Sequence, residues 1–200
     1  MKKIITIGRE FGSGGRELGK RLADELGYAY YDKEIVEEIA KRTALSEQYV
    51  QSIIEQKPVF SYPIHTARSF RMLPSDIHMD FNGEVFVEQK KYLEELAEKA
   101  NCVIVGRCAD YILRNYKPYR IFVYADIESK IERCRKKGDV NENLNDKQLK
   151  KHILKIDKNR AKYYSFYTGR KWGDKLNYDL CINTTDCVIA DIVPHVAKML

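Results

Sequence analysis

Residues 4–18 constrain this chain more than any other stretch. They read Ile-Ile-Thr-Ile-Gly-Arg-Glu-Phe-Gly-Ser-Gly-Gly-Arg-Glu-Leu. The apolar, β-branched start predicts a buried strand. The chain then turns through Gly8, Gly12, Gly14 and Gly15. From Arg16 onward it predicts a helix, with Leu18, Leu22 and Leu26 on one face and Gly27 as the stop. Strand, glycine-rich loop and helix make a cradle for a phosphate. Glycines let backbone N–H groups close on an anion, and the helix turns its positive end toward it. An ordinary glycine-rich turn without a ligand is the alternative.

The loop departs from the phosphate-loop pattern G-x-x-x-x-G-K-[ST]. With Gly14 as the second pattern glycine, the lysine position holds Gly15, the hydroxyl position Arg16 and the first glycine position Arg9. Arg16 is then expected to supply charge from one position further on, and Ser13 is the nearest hydroxyl.

Two hundred residues suit one domain, with no internal repeat. No apolar run reaches membrane-spanning length and no signal peptide is visible, so a cytoplasmic protein without membrane partners is expected. The net charge of +6 lies mostly on helices that also carry acids, which reads as solvated faces rather than a nucleic-acid groove. Five cysteines without a C-x-x-C pair predict free thiols and no zinc site.

Taken in order, Tyr28–Tyr31 reads as a second strand ending at Asp32. Asp32 then either faces the crevice beyond the strand ends or caps the helix carrying Ile35, Val36, Ile39 and Ala40. A further helix is expected from Ser46 to Glu55. Residues 57–83 mix four Pro or Gly with aromatics, Arg68, Arg71, His65 and His78, which suggests either a substrate cover or a packed connection. A helix over 84–100 leads into the buried strand Cys102–Val105. Gly106, Arg107 and Asp110 follow at the ligand end of the sheet, where Arg107 is a candidate fork for a phosphate, or a tie to Asp110.

A fourth strand covers 120–125. Asp126 then caps a helix carrying Arg133 and Arg135, a polar hinge follows, and Asp146 is expected to cap a helix bearing Asp157 and Arg160. Residues 136–164 thus read as a basic helical lid, or as a solvated hairpin. The aromatic stretch 163–173 is expected to pack, with Arg170 and Lys171 near phosphates. A fifth strand is expected at 178–183, and a last helix from Thr185 with a kink or break at Pro194.

Alternating strands and helices behind a phosphate loop predict a three-layer α/β/α domain with a five-stranded, mostly parallel sheet. The chain resembles the cytidylate-kinase-like branch of the nucleoside monophosphate kinases. The resemblance rests on Gly-Arg-Glu-Phe-Gly-Ser-Gly-Gly-Arg at 8–16, Tyr-Tyr-Asp-Lys-Glu at 30–34, Val-Ile-Val-Gly-Arg-Cys-Ala-Asp at 103–110 and Asp-Lys-Asn-Arg at 157–160. Tyr-Thr-Gly-Arg-Lys-Trp-Gly at 167–173 also looks typical.

This resemblance implies a P-loop kinase fold and ATP-dependent phosphoryl transfer to a nucleoside monophosphate, with ATP and Mg²⁺ as cofactors. It implies that Asp32, Gly106, Arg107, Asp110, Asp157 and Arg160 bind the acceptor. The glycine-rich loop and the basic lid themselves lead us to expect Gly12, Ser13, Gly14, Gly15, Arg16, Glu17 and Arg133 to bind the donor, and Arg16, Arg107 and Arg160 to act in catalysis. Two further readings stay open. One is a nucleotide-sensing module without catalysis, motivated by the missing lysine. The other is a kinase for a non-nucleotide metabolite.

Overall fold

The computed structural model describes residues 3–55, 77–138 and 144–200, with backbone alone for 55 and 77–81. Five strands form one parallel sheet in the order β2-β3-β1-β4-β5. They are β1 (Ile4–Arg9), β2 (Ala29–Tyr31), β3 (Cys102–Val105), β4 (Tyr119–Tyr124) and β5 (Leu180–Asn183). The helices, in chain order among the described residues, are α1 (Gly15–Leu26), α2 (Glu34–Thr43), α3 (Glu47–Glu55), α4 (Ile77–Lys99), α5 (Ala109–Ile112), α6 (Ile127–Lys136), α7 (Asp146–Thr168) and α8 (Ile189–Ala197).

The central strands are apolar on both sides because helices cover both faces. Ile5, Ile7, Val103, Val105, Ile121 and Val123 point into one layer, against Leu18 and Leu22 of α1 and Ile189, Val193 and Val196 of α8. Ile4, Cys102 and Ile104 point the other way, into a larger core built from α2, α3, α4, α5 and α7. Those two packed layers around one sheet are the three-layer arrangement expected from the sequence.

Several boundaries move, each for a local reason. Helix α4 begins at Ile77, well before 84, because Gly83 does not stop it. Helix α7 is capped by Asn145, not Asp146. The Asn145 side chain accepts from the Gln148 N–H while the Gln148 side chain accepts from the Asn145 N–H, a closed capping box. The same helix runs to Thr168 and so absorbs the first half of the aromatic stretch.

Helix α8 starts at Ile189 rather than Thr185, since Asp186 takes a left-handed φ of 53° that a helix cannot contain. It continues through Pro194. Asp126 caps α6 as expected, accepting from the Ser129 N–H at 2.7 Å. The expected cover at 57–83 lies outside the described residues except for the first turns of α4. The hinge after 138 lies outside them through 143. Among the described residues, no helix is long and apolar enough to cross a membrane.

Candidate active site

The carboxyl ends of β1, β2 and β3 meet the loop before α1, and the charged residues gather there. Gly14 holds the N-cap position of α1 in a left-handed φ of 81° and provides no side-chain cap. The first N–H groups of α1 therefore have neither an intrahelical acceptor nor a capping oxygen, and they face outward as an anion cradle. A Cβ at Gly14 would lie 2.5 Å from Ile189 Cδ1, so α8 presses on the loop from below. From the side, Thr184 at the end of β5 donates its hydroxyl to the Ser13 carbonyl at 2.7 Å.

Charge in this crevice is strongly one-sided. Arg9, the last residue of β1, is buried, and its guanidinium lies 3.6 Å from Asp32. Arg16 Nε lies 2.5 Å from the other Asp32 oxygen. Asp32 is thus an ion-pair partner of two arginines; Lys33 occupies the cap position of α2, so capping is not its role. Burial, then the nearby Arg160 and Arg107, push Arg9 down to about 9. Asp32 between Arg9 and Arg16, and Asp157 at 4.0 Å from Arg160, still leave the four arginines Arg9, Arg16, Arg107 and Arg160 short of negative charge. An anionic ligand is what such a cluster lacks.

The strand-three corner is strained to fit. Gly106, Arg107 and Cys108 take left-handed φ values of 75°, 58° and 52° in succession. Non-glycine residues hold such angles only where the surroundings enforce them. Here the fully buried Gln89 of α4 donates to the Arg107 carbonyl at 3.0 Å, and Gly106 N–H donates to the Ile7 carbonyl at 2.9 Å. Arg107 reaches Gln51 of α3 at 3.5 Å and does not tie to Asp110, while its Nε is buried without a partner. Asp110 instead accepts from the Tyr164 hydroxyl at 2.6 Å. Burial raises its carboxyl above the ordinary range, against the lowering effect of that bond.

Helices α6 and α7 are tied to the loop from the opposite side. Lys130 is buried, 2.5 Å from Glu10 and 3.2 Å from Asp157. Asp157 also accepts from the Phe11 N–H at 2.7 Å. Its carboxyl is raised by burial against the lowering pull of that bond and of Lys130. Asp157, expected on the acceptor side, holds the loop backbone here through Phe11. Arg160, one turn on, donates to the Arg9 carbonyl at 3.4 Å and lies over the Phe11 ring at 5.7 Å.

Two cavities open from this centre. The one over the loop is lined by Gly12, Gly14, Gly15, Arg16, Arg133 and Lys137 among others. The second is lined by Gly106, Arg107, Asp110, Tyr163, Trp172 and Tyr178 with Ile54 of α3. Arg9 and Arg160 line both. The second wall is aromatic and includes the buried Tyr163 and Tyr178.

Other sequence candidates fall around these cavities. Arg133 donates to the carbonyls of Thr184 and Cys187, the latter at 3.2 Å, so it braces the rim of the loop cavity. Glu17 pairs with Arg21 at 3.0 Å and Lys137 at 3.7 Å, on the outer face of α1. Arg135 is turned away, to the Leu144 carbonyl and to Asp146 at 3.0 Å. Arg170 stacks over Tyr111 at 5.3 Å, and the stretch it belongs to packs through contacts such as Phe122 against Trp172. Arg68, Arg71 and His65 lie outside the described residues, as does the side chain of His78.

The cradle and its arginines fit a polyphosphate. They do not offer a protein ligand set for Mg²⁺. Arg16 stands at the hydroxyl position, Ser13 spends its buried hydroxyl on the Glu10 carbonyl at 2.8 Å, and two guanidiniums claim Asp32. Among the described residues, no group of three or more His, Cys, Asp and Glu could hold a metal ion.

Sequence reasoning missed Arg9, Lys130, Gln89 and Tyr164 as parts of the site. The mismatch at the first pattern glycine was the one signal for Arg9. Lys130 and Gln89 carry none, since each is one polar residue among many on an amphipathic helix.

Comparison with known proteins agrees with this geometry. No curated protein matches the sequence. An uncharacterized protein from Eubacterium ventriosum, known from its crystal structure, is similar at 28% identity. Its TM-score is 0.71, with 99% of this chain and 98% of that chain covered. Shikimate kinases share the fold at 16% identity. The one from Bacteroides thetaiotaomicron gives a TM-score of 0.58 over 98% of this chain and 97% of that one. The one from Acinetobacter baumannii gives 0.52 over 100% and 92%. The model of the cytidylate kinase-like family matches residues 4–186. With that match over most of its length, the chain belongs to the cytidylate kinase-like family.

Proposed function

We propose that the protein transfers the γ-phosphoryl group of ATP to a nucleoside monophosphate. The observation that carries this is the pair of cavities sharing Arg9 and Arg160. A donor polyphosphate on the loop N–H groups and an acceptor phosphate on Arg107 would meet at those two guanidiniums. An acceptor phosphate oxygen attacks the γ-phosphorus, the bond to the β–γ bridging oxygen breaks, and ADP leaves with the electron pair. The protein aligns the two phosphates and offsets their charge, which is most of what phosphoryl transfer asks of an enzyme.

A nucleoside acceptor suits the second cavity. Its aromatic wall, built from Tyr163, Tyr164, Trp172 and Tyr178, offers a stacking face for a base. Gly12, Ser13, Gly14, Gly15, Arg16, Glu17 and Arg133 form or brace the donor side; Asp32, Gly106, Arg107, Asp110 and Arg160 form or support the acceptor side. Any Mg²⁺ would arrive on the nucleotide, as that ion usually binds through substrate phosphates.

The test is a coupled ADP-release assay with ATP and Mg²⁺ against CMP, dCMP, UMP, AMP, GMP and shikimate. Acceptor-dependent release with one nucleotide is expected. Release only with shikimate, or ATP binding with silence across the nucleotides, would overturn the acceptor assigned here.

A further inference from the structure

Arg9 and Gly15 occupy each other's expected places. The phosphate-loop pattern wants a glycine where Arg9 stands and a lysine where Gly15 stands. The structure gives the physical reason why both differ at once. A Cβ built on Gly15 would lie 2.5 Å from Arg9 Cβ, 3.1 Å from Arg9 Cγ and 3.2 Å from Val123 Cβ. The first carbons of the Arg9 side chain fill the space where a lysine side chain at 15 would have to begin. These carbons sit near the backbone and cannot swing aside as a side-chain tip does. Beyond them, the Arg9 guanidinium lies against Gly106, where any side chain would collide with Nη1. It therefore crosses from the donor loop to the corner after β3.

We infer that Arg9, not Arg16, is the cation that replaces the missing loop lysine, and that it holds the phosphoryl group passing between the two cavities. Resting on the kinase reading above, this assigns a residue and a role within the same site.

Three observations separate Arg9 from Arg16. Arg9 is buried, whereas the Arg16 side chain is half exposed. Arg9 lines both cavities; Arg16 lines the donor cavity and the outer face next to α1, but not the acceptor cavity. Arg16 Nε is held by Asp32 at 2.5 Å, whereas Arg9 meets the same carboxylate only at 3.6 Å, beyond hydrogen-bond distance. A buried guanidinium with one distant counter-charge and arginines on several sides weakens the empty fold. It becomes favourable once a polyphosphate enters.

The experiment uses the full chain and measures binding of ATP and of inorganic tripolyphosphate by calorimetry, ADP release with the best acceptor, and thermal midpoints without ligand. Arg9→Met is expected to bind both ligands about 10- to 100-fold more weakly, as for loss of a charge-assisted contact. Its ligand-free midpoint should be equal to or higher than that of the parent. Gly15→Lys alone is expected to lower the midpoint, because its Cβ meets Arg9. The exchange variant carrying Arg9→Gly and Gly15→Lys should fold and regain most of the affinity lost in Arg9→Gly.

An Arg9→Met protein with unchanged affinity overturns the assignment, as does one whose midpoint falls while binding persists. It also fails if Arg16→Met loses the affinity instead, or if the exchange variant folds and binds no better than Arg9→Gly. A parent protein that binds polyphosphate but transfers to no acceptor removes the kinase reading while the binding measurements still decide on Arg9. A parent that binds neither ligand removes both.

Discussion

Arg160 reaches the phosphate region from α7, donating to the Arg9 carbonyl while it lines both cavities. A guanidinium placed there stabilises charge that spreads over the transferring group. Arg160→Ala should therefore lower the phosphate-transfer rate by roughly 10³-fold or more, about 4 kcal/mol of barrier. Unchanged turnover would remove it from the mechanism. Asp110 acts one layer behind. Its carboxyl already sits above the usual range because it is buried, and the Tyr164 hydroxyl restrains that rise.

Tyr164→Phe should raise the Asp110 carboxyl further. A carboxyl whose folded value exceeds its unfolded value loses stability as pH climbs through the folded value. The variant should thus cost about 1–3 kcal/mol near neutral pH and less at pH 4, read from urea midpoints at both. An equal cost at both pH values would contradict it. At this scale the sequence was only partly legible. Arg107 and Arg160 stood out after a buried strand and on a basic helix. Arg9 showed only as a mismatch, because its meaning depends on space at residue 15 that no linear pattern displays.

Among the elements, apolar runs made the strands readable, and Gly27 and Asp126 marked their helix ends correctly. Helix starts were harder. The Asn145–Gln148 box was present in the sequence, yet Asp146 beside it is an equally good capping residue type. Gly83 reads as a breaker but lies inside α4, where an added Cβ meets nothing within 4 Å. Helix packing outweighs the local preference there. Gly83→Ala should accordingly stabilise the protein by about 0.5–1 kcal/mol, visible as a higher urea midpoint with unchanged slope. A lower midpoint would mean that α4 is not a continuous helix at that residue. The Gly106–Cys108 corner is the reverse case. Its three left-handed residues are imposed by Gln89 and by the end of β1, which are remote in sequence.

For the molecule as a whole, the parallel sheet turns the ends of β1, β2 and β3 toward one crevice, and α7 brings Arg160 to it from the far side. Alternating strands and helices made that architecture legible, because a parallel sheet must be covered on both faces. The division into two cavities was not legible. It depends on Lys130 and Asp157 fixing the loop against α6 and α7, and on aromatic residues of α7 walling the acceptor side. If the cavities form one reaction centre, a single ligand can fill both and gain from linkage.

The most direct measurement is calorimetric titration with adenosine and cytidine joined 5′ to 5′ by five phosphates, compared with ATP and CMP alone. The account predicts binding at least 100-fold tighter than either nucleotide, and much of that gain lost in Arg9→Met. Binding no tighter than ATP would contradict the claim that donor and acceptor meet across Arg9 and Arg160.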